Sequence, residues 1–125
     1  MKPESWNEWL GHAESEVAAV LASLPDALAT QARQLTVSYE RKPARALVED
    51  GIEEDTLGLF VGSAFPEDSH PAPIPQQIVL YLENIWELAE GDVESFREEV
   101  RDTFLHELGH YLGLDEDDLT ERGLE

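Results

Sequence analysis

The sequence predicts an α+β fold, a small mixed sheet of about three strands packed on an N-terminal helix and a long helix near the C-terminal end. Two observations carry this. The spacing of apolar residues is helical at both ends of the chain and alternates between them. The 125 residues, 42% of them hydrophobic, also show no repeat, low-complexity tract or second composition regime, so residues 1–125 read as one domain with one core.

Each element follows from local chemistry. Ser5 and Glu8 have the spacing of a capping box, in which each side chain satisfies the other's orphan backbone amide. Behind it Trp6, Trp9, Leu10, Ala13, Val17, Val20 and Leu21 line one helical face. Pro25 interrupts that pattern, and a short second helix is expected to start at Pro25–Asp26. In QLTVSYERK the period becomes two: Leu35, Val37 and Tyr39 alternate with polar residues, as in a half-buried strand. The stretch KPARALVEDGIEEDT is polar and is expected to be a connection. TLGLFVGSAF is β-rich but punctuated by Gly58 and Gly62, which suits an edge strand or a close backbone approach.

PEDSHPAPIP carries four prolines in ten residues and reads as an extended surface loop. QQIVLYLENI, with Ile78, Leu80 and Leu82 alternating against Val79 and Tyr81, is the strongest strand and is expected to bend into a helical turn at IWELAEG. From Asp92, a candidate N-cap, helical spacing returns through Val93, Phe96, Val100, Phe104, Leu108 and Tyr111. Gly113 stands where a left-handed residue would end that helix, and Asp115 can cap a last short one. The expected order is helix, helix, strand, strand, strand, helix, helix.

Composition excludes several functions. With 28 acidic and 8 basic residues, a formal net charge of −20 and a pI near 4.2, the surface repels nucleic-acid phosphates and anionic membranes and attracts cations or basic peptides. The absence of cysteine removes disulfides, iron–sulfur clusters, thiol catalysis and thiolate zinc sites. The charged start has no apolar signal core, and no apolar run approaches membrane-spanning length, so a cytoplasmic protein is expected, with a monomer compatible with its size.

The chemistry concentrates in FLHELGHYLGLDED, residues 104–117. His106 and His110 are four apart, so a helix stacks them about 40° apart on one face, where both imidazoles can reach one cation. Glu107 leans to one side of that cation, the position from which a carboxylate accepts a proton from water activated by the metal. Two histidines leave a zinc site one protein ligand short. Gly113 permits a reversal after His110, and Glu116, three residues on, can fold back as an oxygen ligand; Asp115 is its rival.

The run His106-Glu107-x-x-His110-x-x-Gly113-x-x-Glu116 resembles the zincin metallopeptidases, and most closely a small bacterial zincin-like family sometimes called minimal zincins. The resemblance extends to LGLFVG and PIPQQIVLY as its sheet motifs. It implies one zinc ion held by His106, His110 and Glu116, with Glu107 as general base in the hydrolysis of peptide or unfolded protein. The third ligand in that family is usually an aspartate, so Glu116 is a departure. The sole methionine is Met1, so the methionine turn of metzincins is missing, and too few residues follow His110 for the separate ligand helix of larger gluzincins.

By the same resemblance Gly58, Leu59, Phe60, Val61 and Gly62 would form the edge that holds an extended substrate, a familiar mode of peptide capture. Larger zincins also supply an oxyanion donor from segments this chain lacks; His70 and Tyr111 are the candidates in kind, although Tyr111 lies on the apolar stripe. His12 has no evident partner and is expected at the surface. The alternatives are a zincin-shaped metal- or peptide-binding module with little or no catalysis, and a structural domain without metal.

Overall fold

A computed structural model of the chain describes residues 5–61 and 76–112. Helix α1, Trp6–Ser23, opens on the expected capping box: the Glu8 amide donates to Ser5 Oγ at 3.4 Å and the Ser5 amide donates to Glu8 Oε1 at 3.4 Å. It buries Trp9, Ala13, Val17 and Val20, while Trp6, Leu10 and Leu21 flank the core half-buried. Leu24 takes the extended conformation imposed on a residue before proline, which ends α1 and lets α2, Asp26–Ala32, start afresh.

The sheet has the order β1-β3-β2, with β1 at Thr36–Glu40, β2 at Gly58–Val61 and β3 at Gln77–Tyr81. β1 runs parallel to β3, Val37 opposite Ile78, and β2 antiparallel to it, Gly58 opposite Leu80, so the sheet is mixed. The central strand is the most apolar: Ile78, Val79, Leu80 and Tyr81 are all buried. Among the described residues β2 is therefore an edge strand, as its glycine-bearing sequence suggests.

Helix α5, Val93–Leu112, is the longest described element and packs against α1, β2, α4 (Leu82–Leu88) and β3. Its buried stripe is Phe96, Val100, Phe104, Leu108 and Tyr111, as expected from periodicity, joined by Leu105 and Leu112, while Val93, expected with them, is only half-buried. The amide of Ser95 donates to Asp92 Oδ2 at 2.8 Å, so Asp92 is the N-cap. Ahead of it Glu90 (φ 55°) and Gly91 (φ 76°) take successive left-handed conformations that turn the chain from α4 into α5.

Three expectations are corrected. The connection after β1 contains a one-turn helix α3, Arg45–Glu49, which carries an Arg45–Glu49 ion pair at i,i+4 and half-buries Leu47 and Val48; its polar composition masked a helical spacing. The third strand stops at Tyr81, and helix α4, Leu82–Leu88, begins where the alternation still continues in the sequence. Leu82 and Ile85 are buried at helical spacing, so the alternation at Leu82 is coincidental. His12 is half-buried rather than superficial, its ring edge-on to Phe96 at 6.3 Å between α1 and α5.

No described helix is long and apolar enough to cross a membrane. An aromatic group of Trp9, Trp86 and Phe96, with centroids 5.8 and 5.5 Å apart in sequence, joins α1, α4 and α5. The Arg41 guanidinium lies over Trp6 and Trp9 at 5.3 and 5.4 Å, tying the end of β1 to α1.

Candidate metal centre

The same stripe that buries α5 fixes what its other face presents. Phe104, Leu105 and Leu108 lock the helix's rotation in the core, and His106 and His110 consequently emerge half exposed on one face. Their rings lie 4.6 Å apart, centroid to centroid, inclined at 58°. Potential ligand atoms of His106, Glu107 and His110 all fall within 4.8 Å of one another. Two half-exposed imidazoles and a carboxylate so close together suit a single small cation with nitrogen and oxygen donors.

Glu107 differs from its neighbours. Its side chain is only 12% exposed, between α5 and β2, with Oε1 3.7 Å from His110 Nδ1 and Oε2 4.0 Å from His106 Nε2. Burial pushes its carboxyl above the ordinary glutamate range. Charge on His110 and His106, and a hydrogen bond donated by the Phe60 amide, pull the other way without cancelling it. A carboxylate with a raised proton affinity beside a cation site is suited to taking up and returning a proton.

The Phe60 contact follows from register. Tyr81 N–H donates to the Leu57 carbonyl at 2.9 Å, so Leu57 faces β3. The pleat then turns the peptide groups of Gly58 and Phe60 outward, away from β3. Phe60 thus offers its amide to Glu107 on α5, which links the edge strand to the candidate base.

That approach depends on Gly58. A Cβ there would stand 2.6 Å from Thr103 Cγ2, 3.3 Å from Leu80 Cδ2 and 3.5 Å from Glu107 Cγ. The glycine is required for space, so that β2 can lie directly on α5 at the level of Glu107. Beside this contact Leu57, Gly58, Asp102, Thr103, His106 and Glu107 line an open cleft of about 310 Å³.

Asn84 holds the lead-in to β2 from behind. It is 4% exposed, its Nδ2 donates to the carbonyls of Glu54 and Thr56 at 2.8 and 2.9 Å, and its Oδ1 accepts from Lys42 Nζ at 2.9 Å. All its main hydrogen-bonding capacity is used inside the protein.

Of the residues singled out from sequence, His106, Glu107 and His110 come together, and Gly58, Leu59, Phe60 and Val61 form the edge strand beside them. Gly62, His70, Gly113, Asp115 and Glu116 lie outside the described residues. Tyr111 is buried and its hydroxyl donates to the Gln31 carbonyl at 2.8 Å, so it belongs to the core beneath the site. Sequence reasoning missed Asn84, whose signal was a lone amide on the buried face of α4, and Asp102 and Thr103, which precede His106 by one helical turn.

Against known families, the model described as zincin-like metallopeptidase matches residues 32–124, well over half of the chain. No curated protein matches it.

Proposed function

The chain belongs to the zincin-like metallopeptidase family, and from that premise we propose that it hydrolyses peptide bonds with one zinc ion and Glu107 as general base. The observation that carries the reading is the half-buried Glu107, set between two exposed imidazoles and hydrogen-bonded to the amide of the adjoining sheet edge. His106 and His110 would hold the metal, with Glu116 as the third protein ligand that a two-histidine site needs. Zinc, when bound, supplies Lewis acidity that polarises a carbonyl and makes water easier to deprotonate.

The remaining work falls to the chain. An extended peptide pairs with the outward backbone groups of β2 that the Phe60–Glu107 bond leaves, the Gly58 peptide and the Phe60 carbonyl, and this sets a scissile carbonyl beside Glu107. Glu107 takes a proton from water as its oxygen bonds to the carbonyl carbon. The same carboxyl then gives that proton to the amide nitrogen as the carbon–nitrogen bond breaks. Burial of Glu107 favours its protonated form and so helps it hold the proton between the two transfers. Tyr111 is tied into the core, so among the described residues its hydroxyl is no candidate for steadying the oxyanion.

An unstructured peptide or unfolded protein is the fitting substrate, because the cleft is shallow and open. The protein should cleave such peptides after zinc loading, stop when the ion is chelated, and recover when zinc is restored. Cleavage that survives complete metal removal would overturn the proposal. Stoichiometric zinc without any cleavage would favour the zincin-shaped binding module instead.

A further inference from the structure

One carboxylate beside the centre has no role in the chemistry above. Asp102 precedes His106 by four residues, so it sits on the same face of α5 about 6 Å along the helix axis. It is exposed, and among the described residues it makes no ion pair or hydrogen bond. Its neighbours in the cleft are mostly apolar: the side chain of Leu57, the bare backbone of Gly58, and Thr103, whose Cγ2 methyl faces Gly58. The cleft opens directly onto His106 and Glu107.

We propose that this cleft receives the substrate side chain next to the scissile bond, and that Asp102 makes it select lysine or arginine. The inference rests on the peptide-hydrolysis reading and adds its specificity. A side chain entering between His106 and Glu107 meets an apolar wall first and an unpaired carboxylate about 6–7.5 Å further along the helix, within reach of an extended lysine. The stem would pack against Leu57 and the Thr103 methyl while the charged head pairs with Asp102. A neutral side chain of equal length would gain the first contact and lose the second. The cleft is open to water, so the pair is screened and its effect is modest, about fivefold in favour of lysine over norleucine.

The experiment compares peptides that differ only in lysine, norleucine or glutamate at each position flanking the bond, using the zinc-loaded native protein, Asp102→Asn and Asp102→Lys. The readout is the ratio of kcat/KM for lysine over norleucine within each protein, which a loss of folded enzyme does not change. The ratio should be about fivefold at one flanking position, fall to about one in Asp102→Asn, and invert in favour of glutamate in Asp102→Lys.

Binding of the same peptides to Glu107→Gln, with and without Asp102→Asn, follows the ratio by anisotropy even if no peptide is cleaved. Failure of hydrolysis and failure of this inference are thereby separated. A lysine preference that persists in Asp102→Asn would overturn the proposal and assign selectivity to the protein's overall acidic field, which that variant changes by a single charge. Absence of any preference in the native protein would overturn it equally.

Discussion

Replacing Gly58 with alanine tests whether the sheet edge and the active helix are in the contact described. The new Cβ would lie 2.6 Å from Thr103 Cγ2, about 1 Å inside a normal carbon–carbon contact. Overpacking of this kind costs about 1–3 kcal/mol. Against it stands the reduced freedom of alanine in the unfolded chain, worth about 0.4–1 kcal/mol in the folded state's favour. Clash wins, with a net loss of roughly 0.5–2 kcal/mol.

At about 4 °C per kcal/mol for a chain of this size, the melting temperature should fall by roughly 2–8 °C. Thr103→Ser removes the offending methyl. In that background Gly58→Ala should therefore be neutral or slightly stabilising, a reversal of sign that a double-mutant cycle of thermal or urea unfolding would register. If alanine at position 58 costs the same with threonine or serine at 103, the contact between β2 and α5 is not as described.

Other perturbations follow from the same structure. Asn84→Leu leaves the Glu54 and Thr56 carbonyls without their donor, and should cost about 1–3 kcal/mol while speeding amide exchange across residues 54–58; unchanged exchange there would refute its anchoring role. The raised carboxyl of Glu107 makes a pH prediction for the metal-free protein. A folded-state proton affinity above the unfolded one gives a stability contribution that is complete below the unfolded value, about 4.3, and is lost as pH rises through the folded one. Glutamine avoids that loss. Metal-free Glu107→Gln should therefore melt above the native protein at pH 7, with the gap closing toward pH 4.3; a variant that melts lower at pH 7 would contradict the burial argument.

The reach of the sequence varied with the kind of signal. Helical spacing named the α5 stripe because one face of a long helix must be apolar throughout, and cap chemistry located both Ser5 and Asp92 because those interactions span only three residues. Alternation misled at Leu82, since one more apolar residue after a strand fits either period until the next turn is known. Helix α3 was hidden for the opposite reason: one turn is too short for periodicity to stand out.

At the site, four-residue spacing sufficed to put His106 and His110 on one face, with Glu107 beside them. The rest required tertiary contacts that no local pattern encodes. Gly58 could be read as an edge signal but not as the seat of Thr103. Asn84 looked like an ordinary helix residue until its three partners, 28 to 42 residues away in the chain, closed around it.

The most direct measurement of the central claim is zinc content and peptide hydrolysis, determined together for the native protein and Glu107→Gln. General-base catalysis contributes about 10²–10⁴ in rate, so the variant should lose at least a hundredfold in kcat while still holding one equivalent of zinc. A variant that keeps both its zinc and its rate would contradict the assignment of Glu107 as the base.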